Sequence, residues 1–135
     1  MSKAIHLVCV LTMTVTGALA GCAQFDEPDA QDPLPILGCY EASGAPSLSV
    51  GPKGVQIEGS SVKIPFRYEF RSSSAVLNAQ IEATQLNGHF HLSPARNRYF
   101  YPISHTEEGP VITIAFAPDN TVLNYYRRSV SECEF

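Results

Sequence analysis

Three histidines have the type and spacing for metal chemistry. His89 and His91 are two residues apart, so on a strand both imidazoles share one face. His105 follows, beside Glu107 and Glu108. A His-x-His pair with a third histidine or a carboxylate is a ligand set for zinc or copper. The hairpin register derived below puts His89 and His91 on the outer face of their strand, where imidazoles lack the hydrogen-bonded support of a good metal site. Solvated strand histidines are therefore the expectation, with His89 and His91 kept as weak metal candidates and no cofactor expected.

The aromatics say more. Arg96-Asn97-Arg98-Tyr99-Phe100-Tyr101-Pro102 packs three aromatics beside two cations, and Tyr125-Tyr126-Arg127-Arg128 repeats the theme. Consecutive strand residues face opposite sides, so either Phe100 or the pair Tyr99 and Tyr101 must point away from the core. Exposed tyrosine beside arginine is the composition of interaction hot spots. Arg98, Tyr99, Tyr101 and Tyr126 are accordingly the expected partner-binding residues. Glu41, Glu58, Glu69 and Glu82 are scattered over positions that read as wet, and form no evident acid/base pair. The chain has no G-x-S-x-G, H-E-x-x-H, C-x-x-C, P-loop or G-x-G-x-x-G motif. A non-catalytic protein is expected.

The elements that must position these residues are strands. From Val62 to Arg71 the pattern alternates: Val62, Ile64, Phe66, Tyr68 and Phe70 on one face, Lys63, Arg67, Glu69 and Arg71 on the other. Pro65 points outward and marks an edge or a bulge. Asn87-Gly88 is the strongest hairpin signal, because both residues tolerate positive φ. A two-residue turn there pairs Leu86 with His89, Gln85 with Phe90 and Ala83 with Leu92, leaving Ile81, Ala83, Phe90 and Leu92 on the core face. Turn signals at Gly51-Pro52-Lys53-Gly54, Gly59-Ser60, Ala95-Arg96-Asn97, Glu108-Gly109-Pro110 and Pro118-Asp119-Asn120 bound further short strands. Residues 72–79, opening on three serines, fit either a strand or a capped helical turn. The expected fold is all-β: a small antiparallel barrel or sandwich of about eight strands.

Residues 1–21 read as a leader. Lys3 is followed by the apolar stretch Leu7–Ala20, shorter than the roughly 20 residues that a membrane-spanning helix needs. The segment Leu19-Ala20-Gly21-Cys22 resembles the lipobox of bacterial lipoproteins. The resemblance covers only the leader. It implies that the Cys22 thiol is lipidated and becomes residue one of the mature chain, held on a lipid bilayer of the bacterial envelope. Ala23, in place of an aspartate, points to the outer membrane. The part beyond the leader carries no motif of a characterised family.

Residues 22–34 read as an acidic tether, with Asp26, Glu27, Asp29 and Asp32, two prolines and no cation. Residues 35–135 are the single domain. Its eight Lys and Arg face nine Asp and Glu, net −1, and no basic stripe suited to nucleic acid is present. With Cys22 lipidated and Cys9 lost with the leader, Cys39 and Cys133 remain as a pair. Their bond would close nearly the whole domain into one loop, worth about 4–5 kcal/mol in the chain-entropy model. The functional expectation is a membrane-anchored binding or interaction module whose partner is an envelope protein or glycan. The alternative is a carrier of a small apolar ligand in the barrel mouth.

Overall fold

The computed structural model describes residues 30–115 and 120–135. The leader, Cys22, most of the tether and the Pro118-Asp119 turn lie outside the described residues. Nine strands form one antiparallel sheet: β1 (Gly38–Glu41), β2 (Leu48–Gly51), β3 (Gly54–Ile57), β4 (Lys63–Ile64), β5 (Phe66–Arg71), β6 (Ser74–Leu86), β7 (His89–Thr106), β8 (Gly109–Ala115) and β9 (Val122–Ser129). Their order is β4-β3-β2-β1-β9-β8-β7-β6-β5, and the sheet curls into a nearly closed barrel. A single 3₁₀ turn, Leu34–Ile36, precedes β1 and buries Ile36.

The two edges of the sheet are consecutive in sequence. β4 and β5 are separated by Pro65 alone, yet they stand at opposite ends of the strand order. The alternating run from Val62 to Arg71 is thus not one strand. The proline, which has no N–H to donate, sits where the chain leaves one edge for the other. Upstream of Pro35 the chain is already tied to this seam, because the backbone N–H of Gln31 donates to the carbonyl of Tyr68, 2.6 Å.

The Asn87-Gly88 hairpin has the expected register: Leu86 pairs with His89, Gln85 with Phe90 and Ala83 with Leu92. Ile81 is fully buried, and Ala83, Phe90 and Leu92 pack partly buried against the core. Residues 72–79 hold no helical turn. Ser72 and Ser73 both take positive φ (49° and 68°), and Arg71 pairs with Ser74, so a two-residue hairpin turn joins β5 to β6. Serine rarely announces that conformation, which is why a helix cap competed for the segment.

Ala95-Arg96-Asn97 is not a turn either. β7 runs unbroken through it. Ala79 faces Tyr99 while Ile81 faces Pro94, so two steps along β6 meet five along β7. The surplus is taken up as a bulge, tied down where the Gln80 side-chain Nε2 donates to the Arg96 carbonyl, 2.9 Å.

Side chains fill the barrel interior. Tyr40, Leu48, Leu77, Ile81, Ile112 and Tyr125 are fully buried. Three tyrosine hydroxyls end on backbone carbonyls: Tyr40 on Ile36 at 2.7 Å, Tyr125 on Pro46 at 2.9 Å, and Tyr101 on Ile81. A buried hydroxyl left unbonded would cost about 1–3 kcal/mol, so these contacts let polar aromatics serve as core. The Cys39–Cys133 disulfide is formed, with Cα atoms 4.8 Å apart. It pins the C-terminal tail to β1, beside β9, so the first and last strands of the barrel are neighbours.

Candidate functional site

The register of β5, β6 and β7 assembles a cluster on the outer face of the barrel. Arg67 lies opposite Asn78, and Asn78 opposite Phe100; Glu69 lies opposite Val76, and Val76 opposite Pro102. Arg71 starts on β5, yet its guanidinium carbon lies 4.0 Å from the centre of the Phe100 ring on β7. Since β6 runs between those strands, the Arg71 side chain must cross it. That crossing explains why Val76 and Asn78, on the side that faces water, are buried.

Glu69 is the correction to the alternating pattern. Expected wet, it is 1% exposed. Arg71 Nε lies 3.0 Å from its Oε2, Arg67 Nε 3.3 Å from its Oε1, and Asn78 Nδ2 donates to Oε1 at 2.8 Å. Two guanidiniums and an amide replace the water that the carboxylate gives up, as a buried charge requires. Conversely Val62 and Phe70, expected on the core face, are exposed, because each lies at an outer end of the broken run. Phe70 packs on Tyr68 with ring centres 5.5 Å apart.

Phe100, not Tyr101, is the outward aromatic. It is 47% exposed, whereas Tyr101 is 6% exposed and bonded through its hydroxyl to the Ile81 carbonyl. Tyr101 is therefore a core residue and leaves the expected partner-binding set. Tyr99 stacks on Tyr101, ring centres 6.2 Å apart, and is partly exposed. Arg98 is exposed in the bulge beside Tyr99 and Phe100. Tyr126 is exposed on β9, opposite Val111 and Glu41. Two strands over and four residues along, it stands on the order of 16 Å from Phe100. The register thus sets Phe100 beside Asn78 with Arg67 and Arg71 on the same face, and Arg98 two residues before Phe100 along β7; Tyr99, stacked on Tyr101, belongs to the opposite face, and Tyr126 stands apart. Phe100 is one of the two outward options that alternation allows; Arg71 and Glu69 carry no sequence signal beyond their alternation.

The electrostatics of this face differ from those of the domain. Of eight Lys and Arg beyond the leader, Arg67 and Arg71 stand on this face and Arg96 and Arg98 lie in the adjoining bulge of β7. Among the described residues neither Arg96 nor Arg98 has a carboxylate partner, while Lys63 pairs with Glu132 and Arg128 with Glu41 elsewhere. Glu69 and Glu82 are the nearby acids, so the patch carries about +2 on a domain of about −1. One acceptor here is unsatisfied: Asn78 is 4% exposed, and its Oδ1 has no hydrogen-bond partner among the described residues. The arrangement offers guanidinium donors, one flat apolar ring and one buried acceptor. Its buried carboxylate, Glu69, is held by Arg67, Arg71 and Asn78.

His89 and His91 lie on the outer face of β7, where with Glu58 and Phe90 they line an open groove of about 570 Å³. Among the described residues no three His, Cys, Asp or Glu side chains converge on a common point. Burial pushes the Tyr40 hydroxyl up to about 12, and pushes those of Tyr101 and Tyr125 higher still. These are core groups and take no part in the site. The chain matches no protein family, no curated protein and no solved structure. Among the described residues no helix is long and apolar enough to cross a membrane.

Proposed function

We propose that this protein is a membrane-anchored envelope lipoprotein that works as a non-catalytic binding module, meeting an envelope protein or glycan at the Phe100 face. The lipobox-like leader and acidic tether support the anchor. The observation that carries the binding reading is the half-exposed Phe100 ring under Arg71, next to two cations without carboxylate partners among the described residues. An exposed aromatic flanked by arginine is the usual composition of a binding hot spot. The densely filled barrel interior favours this reading over a carrier of small apolar ligands.

The test is retention on washed envelope fractions, which contain both proteins and glycans. With the lipid anchor removed by Cys22→Ser, the mature chain is expected to be retained, and the same form carrying Phe100→Ala/Arg98→Gln to be released. Equal retention of the two would overturn the reading. Native mass spectrometry of the Cys22→Ser form, secreted to the periplasm, checks the carrier alternative. A stoichiometric small mass released on denaturation would replace the binding module with a carrier.

A further inference from the structure

We infer that the Phe100 face binds an acidic polysaccharide, with guanidiniums on its carboxylates and the ring of Phe100 under a sugar. The inference rests on the binding-module reading and names its ligand class. Three features of the face converge on it.

The first is charge. Arg98 and Arg96 are exposed cations with no carboxylate partner among the described residues, and the patch is positive on a domain that is not. A planar guanidinium matches a carboxylate with two parallel hydrogen bonds. The second is the size of the apolar surface. Phe100 is one ring-sized platform, flanked by Asn78 across the β6–β7 ladder and by Pro102 two residues along β7. A protein partner of ordinary size covers roughly 800 Å² per side around an apolar centre. A single aromatic ring beside guanidiniums has the size and chemistry for one sugar unit.

The third is a buried acceptor that a carboxylate alone cannot satisfy. Asn78 Oδ1 is a buried acceptor without a partner among the described residues, in register between Arg67 and Phe100. Ionised Asp and Glu side chains only accept hydrogen bonds, so an acidic peptide side chain cannot satisfy it. A uronic acid carries a carboxylate and hydroxyl donors on one ring.

Arg71 is the movable part. Its side chain is 43% exposed and is held by Glu69 and by the face of Phe100. A cation–π contact at an exposed site contributes only about 0.5–1 kcal/mol. Drawn to a ligand carboxylate, the guanidinium lifts from the ring. That uncovers Phe100 for the C–H face of the sugar and Asn78 Oδ1 for a hydroxyl.

Isothermal titration of the full mature chain with an oligogalacturonate tests this, against a neutral galactan and poly-L-glutamate of matched length. The oligogalacturonate is expected to bind, the galactan not, and poly-L-glutamate at least about tenfold more weakly. Phe100→Leu and Arg98→Gln, both surface changes, should each weaken binding about five- to tenfold, and Tyr126→Ala should leave it unchanged. Three results would overturn the inference: no binding of the acidic saccharide, equal binding of poly-L-glutamate, or full affinity in Phe100→Leu. In each case envelope retention lost in the Phe100→Ala/Arg98→Gln variant would leave the binding-module reading standing.

Discussion

Arg71 and Phe100 stand on strands that are not neighbours, yet the guanidinium of one lies 4.0 Å from the ring centre of the other. The side chain bridges β6, and Glu69, 3.0 Å from Arg71 Nε, is sealed beneath it. A carboxylate on the outside of a sheet has thereby become a buried one. Removing it leaves two guanidiniums crowded over Asn78 with no counter-charge. Breaking a buried ion pair costs about 3–5 kcal/mol, and because both arginines reach solvent the lower part of that range applies. Glu69→Ala should lower the unfolding free energy by about 2–3 kcal/mol in urea. A loss below about 0.5 kcal/mol would mean that the cluster has no structural weight.

The disulfide spans 94 residues of sequence. The chain-entropy model gives such a loop close to 4.7 kcal/mol, a large part of a small domain's stability. A Cys39→Ser/Cys133→Ser double variant should lose about 3–5 kcal/mol, and reduction of the wild type should have the same effect. If urea midpoints agree with and without reductant, the bond contributes little.

Alkaline pH should unfold the barrel through its core tyrosines. Tyr40, Tyr101 and Tyr125 ionise less readily in the fold than in the open chain, chiefly because burial disfavours the phenolate. A raised folded value means that the unfolded chain gives up its protons first. Stability is therefore intact below pH 10 and falls from there through pH 12, the value for Tyr40. Each tyrosine contributes a slope of about 1.4 kcal/mol per pH unit. Urea denaturation at a series of pH values checks this, and a flat profile between pH 10 and 12 would refute it. Tyr125→Phe should make the profile shallower.

Two glycines should respond very differently to alanine. At Gly38, φ is 147° and a Cβ would come within 2.2 Å of the Ser129 carbonyl oxygen, forcing β1 from β9. At Gly44, φ is 72° and a Cβ would meet nothing within 4 Å. Gly44→Ala should cost only backbone strain, about 1 kcal/mol. Gly38→Ala adds a clash between paired strands and should cost more than about 3 kcal/mol. Thermal melts of the two proteins give the comparison directly, and equal shifts would contradict it.

Much of the fold was legible because its signals are local. Asn87-Gly88 fixes a two-residue turn by its own φ preferences, and the turn then fixes every pair along the hairpin. Other turns have no such local signal. Ser72 and Ser73 form the same kind of turn without the residues that advertise it. Ala95-Arg96-Asn97 carries a turn's composition, yet the chain runs on through it because β6 lies alongside and holds the bulge. Of the candidate site, Arg98 and the aromatic run were visible. Glu69, Arg71 and Asn78 were not, since their burial arises from each other.

By itself the sequence determined an all-β chain, the register of its longest hairpin and the pairing of Cys39 with Cys133. Alternation, turn preference and cysteine number are properties of neighbouring residues or simple counts, and need no knowledge of what packs where. Only the tertiary structure decided that Pro65 separates the two edges of the sheet, that Phe100 faces out while Tyr101 faces in, and that Glu69 is buried. Each of these depends on which strands lie side by side. A side chain as long as arginine can then cover a neighbour that the alternation of its own strand had assigned to water.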